Sequence, residues 1–250
     1  HINHNISKDA QAMENHCVNI CKQLKIELVI KKINDEVNSN IEENLRNKRY
    51  ELMFDTMKED EALLLGHHAN DQVETFLYRL FRGSSPHGLS CMDTISYRAS
   101  KILCRPFLSI TRENIIDIGR LMNIEYINDT SNNNINFDRN YIRNEIIPKI
   151  KTRWRSVDNT MLHNISLQSD YSKLASDYCD SVYKNIVDNN KLNIKILKSY
   201  PCYLESTFLK YWIKSCCQYD LSRNEISQIQ LIIKSENHDY PQYKLKNDIS

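Results

Sequence analysis

The sequence is poor in glycine and lacks any long apolar run, and both shortages limit what the chain can be. Only 4 of its 250 residues are glycine, so few positions suit tight turns or close backbone approach to a ligand. No apolar run reaches the roughly 20 residues that a membrane-spanning helix needs. The N-terminus also lacks the apolar segment of a signal peptide. Together with a hydrophobic content of 41%, this predicts a soluble globular protein in the cytoplasm.

Cysteine spacing and net charge bear on two further classes, proteins with a structural zinc site and nucleic-acid-binding proteins. The 8 cysteines include no Cys-x-x-Cys pair, since Cys17 and Cys21 have helical spacing and Cys216 and Cys217 are adjacent. A structural zinc site is therefore not expected, and reduced thiols suit a cytosolic protein. A net charge of +1 does not by itself indicate a nucleic-acid-binding protein, so any such surface must be local.

A local basic strip does exist between residues 139 and 155. It holds six basic residues against one acid, Glu145. The basic residues are Arg139, Arg143, Lys149, Lys151, Arg153 and Arg155. One interpretation is an ordinary solvated helix face. The other is a surface that contacts a few phosphates of a nucleic acid.

Strand-like and helix-like segments alternate over the first part of the chain. Segments 26–33, 62–66 and 124–127 read as strands, and the middle one reads as a fully buried strand of a parallel sheet. This alternation predicts an α/β fold with a doubly wound, mostly parallel sheet. After Trp154 the pattern becomes mainly helical, which predicts a second, smaller domain.

The sequence contains several signals for the starts of helices. Ser7, Asn70 and Thr111 are candidate N-caps, and 39–42 and 222–225 are capping boxes. The patterns predict helices after Ser7 and over 39–58, 70–81, 111–123, 138–150, 157–187, 200–219 and from 222 onward. Residues 83–88 and 131–134 read as loops, and Pro148 should bend or end its helix.

The segment 63–75 carries the densest chemistry. An apolar run ends at Gly66, two histidines follow, and a helix opens with Asp71 and Glu74 in its first turns. The end of a buried strand leading into a helix is where open α/β sheets place ligands. The acids either complement the helix dipole or hold a cationic group of a substrate.

Several further motifs follow in a fixed order. They are Ile41-Glu42 with Arg46, Arg49 and Tyr50; residues 82–89; Arg105-Pro106-Phe107-Leu108; Asp129-Thr130-Ser131-Asn132; and Arg139-Asn140-Tyr141-Ile142-Arg143. Together with 63–75, they resemble the tRNA(Ile)-lysidine synthetases, ATP-dependent enzymes of the PP-loop group. The resemblance runs from about His1 to Lys151.

The resemblance implies a fold, a domain plan and a reaction. Residues 1–152 would form a PP-loop catalytic domain, similar to the adenine nucleotide alpha hydrolases, and 153–250 a mainly helical tRNA-binding domain. The implied enzyme is a ligase that joins lysine to the wobble cytidine of an isoleucine tRNA through an adenylated cytidine. Its partners would be this tRNA, free lysine and ATP with Mg²⁺, and it could form a homodimer.

The resemblance also implies site residues. Asp71 and Glu74 would bind and deprotonate lysine. The nucleotide would be bound by His68, Arg49, Arg82, Gly83 and Arg143, and the RNA by Arg139, Lys151, Arg153 and Arg155. No metal-ligating residues are assigned.

Competing interpretations stay open for several of these residues. His67 could contact the nucleotide or be a structural histidine, and Gly83 could simply end a helix. Arg49 could be ordinary surface charge. Arg139 and Arg143 could form internal salt bridges with Asp138 or Glu145.

Two positions depart from the family pattern. Asn70 stands where many relatives carry an acid, and Asn5 replaces the glycine of a His-x-x-His-Gly segment that begins at His1.

Two other functions compete with the lysidine ligase. Another PP-loop tRNA-modifying enzyme, such as a thiolase, should show paired catalytic cysteines, which Cys91 and Cys104 do not provide. A non-catalytic tRNA-binding fragment is the second alternative. It arises because the Ser-Gly-Gly-x-Asp-Ser loop, with which the family wraps ATP phosphates, would lie upstream of His1.

We therefore expect residues 1–250 alone not to adenylate tRNA, because backbone amides that stabilise the transferring phosphate would be missing. Single-turnover adenylation with labelled ATP tests this. Robust formation of adenylated tRNA would contradict the expectation.

Overall fold

A computed structural model describes residues 1–3, 9–33, 41–217 and 219–234. They fall into two compact units, His1–Ser169 and Asp170–Ser250. The division into functional domains 1–152 and 153–250 stays a prediction. The expected cap at Ser7, the capping box at Ser39 and the segment His4–Asn5 lie outside the described residues.

The first unit contains two small sheets built around parallel strand pairs. In one, β1 (Ile2–Asn3) pairs in parallel with β2 (Lys31–Lys32). In the other, β5 (Lys101–Cys104) lies between β3 (Ala62–Leu64), its parallel neighbour, and β4 (Ile95–Arg98), its antiparallel one. Parallel pairs joined through helices are typical of the α/β class.

The two faces of the three-stranded sheet differ in burial. Side chains alternate along a strand, so Leu63 and its register partner Leu103 point to the same face, on which Leu103 is 3% exposed. Leu64 points the other way and is 67% exposed. The prediction that this strand is buried on both faces is therefore wrong for the described residues.

The helices of the first unit surround these strands. They are α1 (Ala10–Leu24), α2 (Ile41–Phe54), α3 (Ala69–Phe81), α4 (Pro86–Leu89), α5 (Arg112–Leu121), α6 (Asp138–Tyr141) and α7 (Ile147–Arg153), with a 3₁₀ turn at Thr130–Asn133. Helix α3 is the best buried of them, because Val73 and Leu77 are 1% and 4% exposed.

Helix α3 begins two residues earlier than the predicted cap at Asn70 implied. His68, not Asn70, is its N-cap: the Asp71 amide donates to His68 Nδ1 at 3.4 Å, and the His68 amide donates to Asp71 Oδ2 at 2.9 Å. Asn70 lies inside the helix, and its Oδ1 accepts from the Arg112 amide at 2.9 Å. The first turns of α3 and α5 are thereby joined.

Three described helices end with a left-handed residue and the same pair of backbone hydrogen bonds. In α1 that residue is Lys25, with φ of 54°, and the Lys25 and Ile26 amides donate to the carbonyls of Lys22 and Cys21. Gly83, with φ of +71°, follows α3, and the Gly83 and Ser84 amides donate to the carbonyls of Leu80 and Arg79. This is the Schellman pattern, and it confirms the interpretation of Gly83 as a helix end. Asn123, with φ of 52°, ends α5 in the same way.

The run from Asp138 to Arg153 is helical throughout, but it contains a π-helical segment, Ile142–Ile146, between α6 and α7. Pro148 was expected to bend or end its helix; it follows this segment and does not end the helix, which continues to Arg153. Proline removes an amide and crowds the preceding turn, and a widened turn just before it relieves both constraints.

The strand predictions were less successful. Residues 124–127 form no strand in the structure, and of 26–33 only Lys31–Lys32 does. Ile124, Tyr126 and Ile127 are 51%, 55% and 40% exposed. β-Branched residues favour extended backbone, but a strand also requires a partner.

The second unit is mainly helical. Helix α8 (Val157–Ile186) runs into it, and a two-stranded hairpin of β6 (Val187–Asp188) and β7 (Lys191–Leu192) follows. Three further helices lie in the described part of this unit. These are α9 (Ile194–Leu197), α10 (Cys202–Cys217) and α11 (Arg223–Lys234). Their core is a cluster of Cys179, Ile186, Leu197, Phe208 and Leu209.

The predicted capping box of α11 is confirmed. The Ser222 amide donates to Glu225 Oε2 at 2.8 Å, and the Glu225 amide donates to Ser222 Oγ at 3.3 Å.

The glycines provide a test of the backbone assignments. Gly83→Ala should destabilise the first unit by roughly 1–2 kcal/mol, because a Cβ is unfavourable in left-handed backbone. Gly119→Ala is the matched control: Gly119 lies inside α5 and a Cβ there meets nothing within 4 Å, so alanine should stabilise by about 0.5–1 kcal/mol. Urea unfolding measures both, and equal signs would contradict the assignment.

Candidate functional site

The candidate site is built on the first turns of α3, directly after β3. Three polar side chains of this helix, Asp71, Glu74 and Thr75, stand at helical spacings of three and four, so they share one face. Glu74 is 1% exposed and Thr75 7%. A charged residue this deeply buried needs a partner.

Arg143 is that partner. Its Nε and Nη2 donate to Glu74 Oε1 and Oε2 at 2.6 and 2.7 Å, which is the bidentate geometry of a guanidinium on a carboxylate. Arg143 Nη2 also lies 3.5 Å from Asp71 Oδ1. The hydrogen bonds with Glu74 raise the pKa of Arg143, against the opposing effect of burial.

Arg139 makes a second contact one helical turn away. Its Nη2 donates to Thr75 Oγ1 at 2.7 Å. Because Arg139 and Arg143 are four residues apart, they face α3 together. Two contacts, one helical turn apart, therefore hold the segment 138–146 against α3.

This outcome corrects one interpretation of the two arginines. An internal salt bridge does form, but with Glu74 rather than with Asp138 or Glu145. Glu145 instead accepts from Lys149 at 3.1 Å. Neighbours in sequence were the expected partners, whereas the actual carboxylate is 69 residues away.

The 3₁₀ turn at Thr130–Asn133 is hydrogen-bonded to the helical run that carries Arg139 and Arg143. Asn132 Oδ1 accepts from Arg143 Nη1 at 3.4 Å, and the Asn132 carbonyl accepts from Asn144 Nδ2 at 3.0 Å. Asn140 Nδ2 donates to the carbonyls of Ser131 and Asn134 at 3.1 and 2.9 Å. Asparagine side chains thus hold this turn beside the buried ion pair.

His67 lies at the base of the site as a neutral ring. Its Nδ1 is buried without a hydrogen-bond partner among the described residues. Burial lowers the pKa of His67 to about 4, helped by the charges of Arg105, Arg139 and Arg46 and opposed by Asp71. At neutral pH the ring therefore adds no charge beside the two acids.

The segment after α3 is held by polar side chains to which the sequence analysis assigned no role. Gln72 Nε2 donates to the Met92 carbonyl at 2.7 Å and Gln72 Oε1 accepts from the Met92 amide at 3.0 Å. Arg79 Nη1 donates to the carbonyls of Gly88 and Cys91 at 2.6 and 3.1 Å. Arg105, 6% exposed, donates to the Asp93 carbonyl at 2.8 Å.

Thr75 and Asn132 were also missed as members of the site. Their signal is weak: Thr75 follows the predicted acid directly, and Asn132 lies in a family-like motif without any spacing that points to Arg143.

The predicted nucleotide-binding residues are dispersed. His68 caps α3, and its neighbour Asp71 belongs to the acid pair. Arg82 lies over the Tyr78 ring, 5.1 Å from its centroid, and Gly83 ends the helix. Arg49 is half-buried and has no hydrogen-bond or ion-pair partner within the described residues. The structure brings only Arg143 and His68 next to Asp71 and Glu74.

The predicted RNA-binding residues divide into two groups. Arg139 and Lys151 are engaged: Arg139 by Thr75, and Lys151 by Asp158, whose Oδ2 lies 2.5 Å from the lysine Nζ. Arg153 and Arg155 are exposed and form no ion pair within the described part of the chain. Their roles stay predictions.

The described residues lack two features. They contain no group of three or more His, Cys, Asp or Glu side chains arranged to hold a metal ion. None of their helices is long and apolar enough to cross a membrane.

Comparison with known proteins defines the class of this site. The family model of the PP-loop domain matches residues 1–150, which include every contact of the acid pair. The chain belongs to the PP-loop domain family, and its first unit has the α/β character of that family.

Comparison with individual relatives points to one kind of PP-loop protein. The chain is 36% identical over 214 residues to a tRNA(Ile)-lysidine synthase of Buchnera aphidicola subsp. Schizaphis graminum, covering 85% of this chain and 48% of that protein. It is 33% identical over 258 residues to the synthase of Wigglesworthia glossinidia brevipalpis, covering 100% and 63%. For the synthase of Haemophilus ducreyi the values are 30% over 254 residues, 99% and 58%. The resemblance to lysidine synthetases is confirmed, and the chain spans about half the length of the relatives it matches.

His67 should make the first unit sensitive to acid. Its pKa of about 4 lies below the ordinary 6.5, so the unfolded chain takes up this proton first as the pH falls. The stabilising contribution is present above pH 6.5 and is lost progressively toward pH 4.

The measurement is urea unfolding across this pH range. His67→Gln should flatten the fall in stability relative to the wild type. His163→Gln is the control and should not, because its exposed ring lies in solvent in both states. An unchanged slope in His67→Gln would contradict the burial of a neutral His67.

Proposed function

We propose that the protein containing this chain is an ATP-dependent ligase that joins lysine to the wobble cytidine of an isoleucine tRNA. The similarity to tRNA(Ile)-lysidine synthases over 85–100% of the chain carries this proposal. The geometry supports it, because Asp71 and Glu74 form a buried acidic pair that already holds a cation, Arg143. A site with this charge also suits the ε-ammonium group of lysine.

The proposed reaction has two steps. The cytidine O2 attacks the α-phosphate of ATP, forming an adenylated cytidine and releasing pyrophosphate. The lysine ε-amine then attacks the 2-carbon, and AMP leaves. The second step requires a bound and deprotonated amine, a task suited to carboxylates, and we assign it to Asp71 and Glu74.

The ion pair with Arg143 limits how lysine can reach these acids. Both oxygens of Glu74 accept hydrogen bonds from Arg143. An incoming ammonium group therefore has to displace at least one of these bonds, or bind at Asp71, where Arg143 lies at the longer distance of 3.5 Å. Lysine binding and the position of Arg143 are coupled in this proposal.

The residues that bind the nucleotide are proposed as a group, without a contact for each. We propose that His68, Arg49, Arg82, Gly83 and Arg143 face ATP. We propose that Mg²⁺ is bound as its complex with ATP.

For the RNA, we propose that Arg139, Lys151, Arg153 and Arg155 lie along the tRNA backbone. Arg153 and Arg155 are the members whose guanidinium groups are free to contact phosphates. Arg139 and Lys151 would have to exchange their present partners for RNA.

We also propose a domain architecture, a cellular location and an oligomeric state. The parallel pairs β1–β2 and β3–β5 support one doubly wound sheet as the core of a catalytic domain, residues 1–152. The mainly helical residues 153–250 would be a tRNA-binding domain. We further propose a cytoplasmic enzyme that can act as a homodimer.

Substitution of the acids tests the proposal. In the full-length protein, Asp71→Asn and Glu74→Gln should leave adenylation largely intact and impair the use of lysine. Loss of one charge-assisted contact, about 1.5–3 kcal/mol, corresponds to a lysine requirement roughly 10- to 100-fold higher. Adenylated tRNA should accumulate when lysine is limiting, which single-turnover assays with labelled ATP detect.

Asp117→Asn is the matched control, because Asp117 lies in α5 and its side chain is 65% exposed. It should not change the lysine requirement. If neither Asp71→Asn nor Glu74→Gln changes it, the acids serve only the helix dipole and the ion pair. If the wild type modifies no tRNA, the proposed activity itself is wrong.

A further inference from the structure

Trp154 is exposed to solvent, and the proposed function gives it no role. It follows the last residue of α7, in the short link to α8, and is 63% exposed. The other tryptophan of the chain, Trp212, packs against the core of the second unit. Tryptophan has the largest apolar surface of any side chain, so an exposed one marks a candidate contact surface.

The residues on either side of Trp154 are cationic. Arg153 and Arg155 are exposed, and neither forms an ion pair with any described residue. Lys151, one turn earlier, is neutralised by Asp158. An exposed aromatic ring between two free guanidinium groups combines the two features of surfaces that bind single-stranded nucleic acid: stacking and attraction to phosphate.

A polar cleft begins beside this tripeptide. It has a volume of about 490 Å³ and lies among the first turns of α3, α5 and α8, within the range of small-molecule pockets, about 300–1,000 Å³. Its lining includes Asn70, Asn114, Arg155, Asp158 and Asn159. Amide side chains of this kind can pair with the edges of an unstacked base.

Asp158 lines the cleft and keeps one oxygen, Oδ2, in an ion pair with Lys151. Its Oδ1 is enclosed and has no partner among the described residues. A buried acceptor without a donor is costly, and a hydroxyl or amino group of a ligand satisfies it once the Asp158 side chain turns toward the cleft.

We propose that Trp154 and the adjacent cleft bind an unpaired stretch of RNA. The indole stacks on one base, Arg153 and Arg155 contact the phosphates beside it, and the neighbouring nucleotide enters the cleft, where its 2′-hydroxyl or an exocyclic amine donates to Asp158. Free cations, an exposed ring and an amide-rich cleft favour RNA over a protein partner. This inference rests on the proposed function, in that RNA is the substrate.

Fluorescence provides a direct test. The chain has 2 tryptophans, so Trp212→Phe leaves Trp154 as the sole indole. Titration with a hairpin that carries the anticodon loop of an isoleucine tRNA should quench its emission, whereas a blunt duplex of the same stem should quench it much less.

Affinity gives a second readout that does not depend on Trp212→Phe. In filter binding with the complete chain, Trp154→Ala should weaken binding of the hairpin by about 5- to 100-fold, the range for loss of one stacked base. Trp154→Phe should recover most of the affinity, because it keeps an aromatic face. Since the indole is exposed, neither change should unfold the protein.

Salt dependence separates stacking from charge. Trp154→Ala should leave the slope of log Kd against log salt unchanged, while the Arg153→Ala/Arg155→Ala double variant should lower it by up to about one unit per lost phosphate contact. A shallower slope in Trp154→Ala would mean that the ring only orders the arginines, which contradicts stacking.

Three outcomes overturn the inference. If Trp154→Ala binds the hairpin as tightly as the wild type, the indole is not a stacking platform. If emission from Trp154 changes with protein concentration but not with RNA, a second copy of the chain covers it. In both cases tight RNA binding by the wild type leaves the proposed function standing, whereas a wild type that binds no RNA contradicts both proposals.

Discussion

The bidentate ion pair between Glu74 and Arg143 is the contact on which the candidate site depends. A carboxylate that is 1% exposed is tolerated only if its charge is compensated and its oxygens accept hydrogen bonds. Arg143 does both, and it also reaches Asp71 and Asn132. One guanidinium therefore fixes the position of α3, of the helical run from residue 138 and of the 3₁₀ turn relative to one another.

Local signals in the sequence correctly predicted several parts of the fold that depend on neighbouring residues, although not the N-cap of α3, which is His68 rather than Asn70. The capping box at Ser222 and the helix end at Gly83 were found where expected, because both rest on contacts within about five residues. Strands were predicted less well: residues 124–127 have the composition of a strand and form none. A strand is defined by a partner that lies elsewhere in the chain, and composition does not reveal that partner.

The same distinction explains the site. Residue types at Asp71, Glu74 and Arg143 marked them as functional candidates, but their mutual contact joins residues 69 positions apart. Spacing within one helix suggested Glu145 as the partner of Arg143, and burial decided otherwise: Glu74 is enclosed, whereas Glu145 is paired with the exposed Lys149. The more deeply buried carboxylate has more to gain from a guanidinium.

A pair of neighbouring acids that is largely shielded from solvent faces a physical conflict, which this arrangement resolves. Two acids close together in a buried place attract an ammonium group, but without one they would repel each other and strain the fold. Arg143 compensates their charge from within the chain, and the neutral His67 adds none. The charges of the fold are thereby balanced within the chain. Under the proposed function, a bound lysine has to compete with Arg143, which is already in place, and selectivity for lysine depends on contacts that only the free amino acid can make, in addition to charge.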